Sequence, residues 1–249
     1  MTPQWPAVSG VHAWCSERGG GVSAPPYDTL NLGDHVGDDP DLVAENRRRF
    51  AGDLQARPVF LQQVHGSGVV RLTGHTPDGT QADACWTTER GVACTIMVAD
   101  CLPVLLADAA GSLVAAAHCG WRGLAGDAGA GVLEALWTAI APAAGDAARV
   151  QVWLGPCIGP DAFEVGPEVR TAFTASTAGA AKCFRPHGDG KFLADLPALA
   201  RLRLAALGIT RIHGNDGSRA WCTVANPSRF FSHRRDRVSG RFAAAVWRT

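Results

Sequence analysis

The chain has 249 residues, 47% hydrophobic and 18% charged, which provides for a sizeable core and excludes both a disordered tail and a small disulfide-stapled scaffold. Lysine plus arginine equals aspartate plus glutamate at 23 each, so no net field recruits nucleic acid or anionic lipid, and any anion site must be local. Met1 to Val8 lacks the regions of a signal peptide, no stretch approaches the roughly 20 apolar residues that span a bilayer, and the eight cysteines are scattered through apolar segments; a cytoplasmic protein with reduced thiols is expected.

In chain order, the residues to about Gly33 read as strand, glycine loop (Arg18-Gly-Gly-Gly-Val22) and turn (Ala24-Pro-Pro26). Asp39 is placed to cap a helix with Pro40 at its first position, running to about Phe50 and carrying Asn46 and Arg47. Pro58 to Val64 fits a short strand that leaves His65 at its end. Val92 to Val98, Leu102 to Ala107 and Leu113 to Ala117 are short apolar runs that read as buried strands of one sheet, the last two joined by the turn Asp108-Ala-Ala-Gly111. Gly120-Trp-Arg-Gly123 leads into one alanine-rich helix from about Leu124 to Ile140, with Val132, Leu133, Leu136 and Ile140 on one face. Val150 to Leu154 is a strand stopped by Gly155-Pro156, and Pro167 to Phe173 a helix. Leu196 to Leu207 is a helix capped by Asp195, with Gly208 where a left-handed residue belongs, and Ile209 to His213 and Phe242 to Trp247 are strands. With no repeat and no linker, residues 1–249 are expected to form a single domain.

Going out and back through the Asp108 turn returns His118 to the level of Cys101, seventeen residues earlier, so the two should be cross-strand neighbours at the open end of a hairpin. Thiolate and imidazole are zinc donors, and a catalytic zinc uses three protein ligands with a fourth position left to water. His65, 36 residues upstream of Cys101, can complete a His-Cys-His set, although spacing does not require it. Cys119 competes with His118, since successive strand side chains point to opposite faces. A hydrogen-bonded loop histidine and a small core cysteine are the plainer reading of the same residues. Gly120 and Gly123 let the backbone approach a ligand, and the helix beyond them offers N–H groups to an anion, with Arg122 beside it or in solvent. Lysine occurs only at Lys182 and Lys191, so arginine carries the positive charge, and its planar fork suits phosphate or carboxylate. Phe230-Phe-Ser-His-Arg-Arg-Asp236 sets Arg234 and Arg235 beside His233, as a phosphate clamp or a solvated turn. Gly155-Pro-Cys-Ile-Gly-Pro160 lacks the spacing of a phosphate-binding loop and reads as a shaped rim.

Six segments in fixed order carry a likeness to a known family. They are Leu61-Gln-Gln-Val-His-Gly66, Gln81-Ala-Asp-Ala84, Ala99-Asp-Cys-Leu-Pro-Val-Leu-Leu-Ala-Asp108, Ala117-His-Cys-Gly-Trp-Arg-Gly123, Leu154-Gly-Pro-Cys-Ile-Gly-Pro160 with Phe163-Glu-Val165, and Phe231-Ser-His-Arg-Arg-Asp236 with Gly240-Arg241. Asn31-Leu-Gly33 and Asn46-Arg47 extend it upstream. The chain thereby resembles the bacterial laccase-domain or polyphenol oxidase family, also described as zinc-dependent purine nucleoside phosphorylases. The resemblance implies an α+β fold of two central mixed β-sheets flanked by helices, four layers α-β-β-α, similar to a toxin glutamine-deamidase domain. It implies His65, Cys101 and His118 as ligands of one zinc per chain with water in the open position, and makes Cys119 a bystander. It further implies phosphorolysis of adenosine, inosine, guanosine and methylthioadenosine, together with adenosine deamination. The partners are then small molecules, purine nucleosides and phosphate, with no nucleic acid or membrane; nothing in the residues sets an oligomeric state. Arg47, Gln63, Arg122, Arg234 and Arg235 become the candidates for substrate and phosphate binding, and Asp100, Cys101 and His233 for catalysis, with Asp100 and His233 the candidates for proton transfer.

The family's older description is copper-dependent oxidation of phenols. Two histidines and a cysteine suit a blue-copper site, and copper competes for almost any such set, but coupled multicopper chemistry needs clustered histidine pairs that the eight histidines here do not form. Zinc, which lowers the pKa of bound water toward about 7 for attack on C6 of adenine, is preferred. A third reading, a zinc-stabilised interaction domain without enzymatic activity, would want a closed shell of four ligands.

Overall fold

In the computed structural model, which describes residues 1–249, β1 (Val11–Cys15) is followed by a long loop and α1 (Pro40–Leu54). The start of α1 is local chemistry: the Asp39 carboxylate accepts the N–H of Asp41, and Pro40 takes the first turn, where no N–H is needed. The helix continues past Phe50 and ends at Gln55, whose φ of 52° leaves the helical region. Then come β2 (Arg57–Phe60), β3 (Val69–Arg71), β4 (Ala84–Thr87), β5 (Val92–Val98), β6 (Leu102–Ala107) and β7 (Val114–Cys119). Helices α2 (Trp121–Ala125) and α3 (Val132–Ala144) precede β8 (Gln151–Leu154), β9 (Glu164–Val165), α4 (Pro167–Thr174), β10 (Phe184–His187) and β11 (Lys191–Ala194). The chain closes with α5 (Leu196–Ala206), β12 (Arg211–Gly214), α6 (His233–Asp236) and β13 (Phe242–Arg248). As expected, Asp195 caps α5 by accepting the Ala198 N–H at 2.9 Å, and Gly208 takes a φ of 80° just beyond it.

Two mixed sheets form the centre. One has the order β1-β13-β5-β2 and the other β12-β8-β6-β7-β4-β3, with a small antiparallel sheet β10-β11-β9 to the side. The layers follow from which face each side chain takes. Along β6, Leu105 and Ala107 join Cys94, Ile96 and Val98 of β5 in the core between the sheets. Leu102, Val104 and Leu106, on the opposite face of β6, pack with Val132, Leu136 and Ile140 of α3 and Leu199 of α5. On the far side of the smaller sheet, Ala93 and Met97 of β5 meet Phe50 and Leu54 of α1. The result is the expected α-β-β-α arrangement.

Several expectations are corrected. Val92–Val98 does not share a sheet with Leu102–Ala107; the chain leaves the smaller sheet at Val98 and enters the larger at Leu102. All seven residues of β5 are buried, so no polar alternation marks the change of sheet. The strand expected over Pro58–Val64 stops at Phe60, whose N–H and carbonyl are taken by Asp78 and Gly79. The single helix expected from Leu124 to Ile140 is two, because Gly126, Ala128 and Gly129 take φ values of 66°, 47° and 84° between α2 and α3. In the β6–β7 hairpin, His118 lies opposite Pro103 and Cys119 opposite Leu102, a shift of two residues from the expected Cys101–His118 pairing.

Candidate metal centre and its cavity

Three positions converge where the two sheets meet. His65 sits in the turn after β2, Cys101 in the crossing from β5 to β6, and His118 near the end of β7. Their nitrogen and sulfur donor atoms all lie within 4.8 Å of one another. Cys101 Sγ is 3.7 Å from His65 Nε2, and the two imidazole rings meet edge to face with centroids 4.7 Å apart. The register shift does not separate Cys101 from His118, because the crossing bends sharply: Asp100 has a φ of 93°. Cys119 points the other way, into the apolar core of β6 and α3, with burial pushing its thiol well above the ordinary value.

The donors are poised for a metal ion. His118 is buried, and its Nδ1 donates to Asp83 Oδ1 at 2.8 Å, which leaves Nε2 free as a ligand atom. Burial alone would lower His118, but the neighbouring Cys101 and Asp83 outweigh it and raise the imidazole to about 9. Burial would likewise raise Cys101, yet the charge of His118 and hydrogen bonds with both histidines hold its thiol at about 6. Space is kept for the trio by Gly120, where a Cβ would come within 2.8 Å of His65 Cδ2 and 3.2 Å of Cys101 Sγ. At Gly123 a Cβ would meet the Gly66 carbonyl at 2.6 Å. The two glycines thus admit the His65-Gly66 turn, rather than a ligand's approach to the backbone. The donor set fits zinc, which takes thiolate and imidazole together.

The trio opens into a cavity of about 420 Å³. Its lining includes an apolar and aromatic set, Met97, Trp121, Ile158, Phe163 and Leu196. The cationic part consists of Arg122, Arg234 and Arg241, with His35 and His233 also in the lining. Arg122 stacks on Trp121 at 4.5 Å and Arg234 over Phe163 at 5.6 Å, which orients both guanidinium groups. Asp100 also lines the cavity, but both its oxygens are engaged, one by Thr223 Oγ1 and one by the Arg234 N–H, each at 2.6 Å. Gln63 reaches the wall with its amide committed to both backbone groups of Met97, at 2.8 and 2.9 Å.

Two of the expected arginines are elsewhere. Arg47 donates to the Leu32 carbonyl at 2.9 Å, pairs with Asp34 at 3.2 Å and stacks on Phe60, and it does not line the cavity. Arg235 spends its guanidinium on the carbonyls of Thr223 and Phe230 and on Asp236. His233–Asp236 forms the short helix α6, with Ser232 accepting the Arg235 N–H at 3.2 Å, so the run is neither a bare clamp nor a solvated turn. Residue patterns missed Arg241 and His35. Arg241 is half-buried and lies against Gly33, where a Cβ would approach its Cγ to 2.7 Å. Burial depresses its basicity, while the charges of Cys101 and Asp100 oppose that effect. Its one sequence sign was the Gly240-Arg241 pair.

Residues 12–249 match the family described as multi-copper polyphenol oxidoreductase laccase. The chain is 51% identical over 249 residues to a protein of Escherichia coli (strain K12) named purine nucleoside phosphorylase YfiH, covering 99% of this chain and 98% of that one. It is 51% identical over 248 residues to a purine nucleoside phosphorylase of Pseudomonas aeruginosa, covering 99% and 97%. Among solved structures, a protein of Neisseria meningitidis superposes with a TM-score of 0.89 at 44% identity, over 100% of this chain and 98% of that one. YlmD from Geobacillus stearothermophilus superposes at 0.86 with 33% identity, over 98% and 93%.

Proposed function

The chain belongs to the multi-copper polyphenol oxidoreductase laccase family, and on that footing we propose that it is a zinc-dependent purine nucleoside phosphorylase. The observation that carries this reading is the opening of the His65, Cys101 and His118 trio into a cavity of about 420 Å³ whose lining holds both aromatic side chains and three arginines. A purine needs the first kind of group and a phosphate the second. The relatives named purine nucleoside phosphorylase support the substrate class.

When bound, the ion would supply Lewis acidity at a position left open by three protein ligands. The side chains account for the rest. Trp121, Ile158 and Phe163 receive the base, and Arg122, Arg234 and Arg241 hold phosphate through charge-assisted hydrogen bonds. A phosphate oxygen forms a bond to C1′ of the nucleoside as the C1′–N9 bond breaks, and the bonding pair leaves with the purine. His233, exposed at the cavity edge, gives the departing base its proton. Asp100 acts as an anchor for the Arg234 backbone instead of as the acid, since both its oxygens already accept hydrogen bonds.

Adenosine, inosine, guanosine and methylthioadenosine share the purine and the C1′–N9 bond on which this reaction depends. We extend the reading to adenosine deamination in the same cavity, with water adding at C6 and ammonia leaving. The eight unpaired cysteines support a cytoplasmic location, and near end-to-end coverage of the relatives supports residues 1–249 as one domain. Copper oxidation of phenols is the reading suggested by the family's description, and the His-Cys-His set can hold copper. A neutral phenol, however, carries no anionic group for the three arginines to neutralise. The test is chromatography after incubation of the protein with adenosine, with and without phosphate. Phosphate-dependent adenine is expected, and inosine without phosphate marks deamination. A zinc-loaded protein that yields neither refutes the proposal.

A further inference from the structure

Asp83, in the Gln81-Ala-Asp-Ala84 segment, is fully buried just before β4, does not line the cavity and is not one of the three donors, so it would touch neither substrate nor metal directly. We propose that Asp83 is the positioning residue that assembles the metal centre, fixing at once the imidazole of His118 and the backbone turn that presents His65. The inference rests on the reading of the trio as a metal site.

One carboxylate accepts four hydrogen bonds. Oδ1 takes His118 Nδ1 at 2.8 Å and the His65 N–H at 2.9 Å; Oδ2 takes the Gly66 N–H at 2.7 Å and the Val64 N–H at 3.2 Å. The bond to Nδ1 sets the tautomer of His118 and turns Nε2 toward the other donors. The three consecutive backbone bonds hold His65 at a φ of 61°, a conformation that a histidine seldom adopts unaided. The Asp83 carbonyl also accepts the His118 N–H at 2.7 Å, so β7 and the His65 turn are registered to the same residue. A neutral side chain cannot reproduce this pattern. In Asp83→Asn either orientation of the amide loses two of the four bonds, because its NH₂ would face N–H donors.

The test is zinc affinity of wild type and Asp83→Asn by competition with a chromophoric chelator, at a temperature where circular dichroism shows both folded. Zinc binding is expected to weaken roughly 10–100-fold, with a changed visible spectrum in the cobalt(II)-loaded variant as the thiolate and imidazole geometry relaxes. Equal affinity and identical cobalt spectra overturn the proposal and leave Asp83 a structural buried carboxylate. If Asp83→Asn does not fold, nitrogen-resolved NMR of zinc-loaded wild type decides. A proton on His118 Nδ1, protected from solvent exchange, with zinc on Nε2 supports the assignment; zinc on Nδ1 overturns it. Wild type that takes up no zinc fails at an earlier point and removes the metal reading itself.

Discussion

Cys101 Sγ lies 3.7 Å from His65 Nε2, close enough for the imidazole to stabilise a thiolate. Burial acts against that, but the His118 charge and the two histidine contacts prevail and place the thiol at about 6. Burial pushes Cys15 to about 12 and Cys183 to about 11. Cys101 is therefore expected to be the first thiol of the metal-free protein to react with iodoacetamide at neutral pH, with a rate that titrates near pH 6. Peptide mapping that finds Cys15 or Cys183 labelled first contradicts this. Zinc should protect Cys101.

Purified protein should hold about one zinc per chain, the content expected of one converging set of three donors. Cys101→Ala should lose the metal, whereas Cys119→Ala should keep it, because Cys119 faces the apolar core on the other side of β7. Elemental analysis showing equal loss from both variants contradicts the assignment.

The arginines should separate into two groups. Arg234→Ala and Arg241→Ala remove cavity-lining cations and should raise the phosphate KM or lower kcat/KM by roughly 1.5–3 kcal/mol, about 10–150-fold, beyond any stability lost with their bonds to the carbonyls of Glu164 and of Ser239 and Gly240. Arg47→Ala and Arg235→Ala, which do not line the cavity, leave backbone carbonyls without donors and should lower unfolding stability by roughly 1–3 kcal/mol each with the phosphate KM unchanged. Denaturant midpoints read alongside phosphate titrations distinguish the groups. A purely kinetic defect in Arg235→Ala would count against the division.

Gly120→Ala places a methyl group 2.8 Å from the His65 ring and 3.2 Å from Cys101 Sγ. Metal uptake should fall by an order of magnitude or more, in the range seen when ligand orientation is disturbed, roughly 10–100-fold. The circular dichroism spectrum should persist. Normal zinc content in a folded Gly120→Ala protein would show that the trio tolerates displacement.

Zinc and copper chemistry separate when one stripped sample is reconstituted with either ion and assayed on both a purine nucleoside and a phenol. Zinc should restore nucleoside turnover, while copper, a strong competitor for such donors, should give only slow phenol oxidation. Phenol turnover on the order of 1 s⁻¹ or faster in the copper form, with an inert zinc form, would reverse the assignment.

The parts of the fold legible in the sequence carry local chemistry. Asp39-Pro40 and Asp195 announce helix starts with side chains that bond the first N–H groups, and β6 is bounded as read. What escaped is set by distance. The membership of β5 in a different sheet leaves no local trace, since Val92–Val98 is buried on both faces. The hairpin register depends on a turn that Asp108 tightens by accepting from Ser112 and Leu113, which a count from Cys101 to His118 cannot register. Strands β3 and β4 are too short to show a period, and β10 and β11 have four exposed residues among their eight. At the site, hairpin reasoning could bring Cys101 toward His118, but His65 needed the family likeness because its turn is shaped by Asp83. Arg241 joins Cys101 and Asp100 in the cavity lining only because β13, which it precedes, docks beside β5.

The crossing at Ala99-Asp-Cys101 links the assembly history of the molecule to its chemistry. His65 hangs from the smaller sheet, His118 belongs to the larger, and Cys101 occupies the passage between them. A chain with only one sheet formed would present an incomplete set of donors. Tight metal capture would then register the docking of both sheets, and an ion once captured would act as a rivet between them, so that metal loss and sheet separation would each promote the other along the unfolding path.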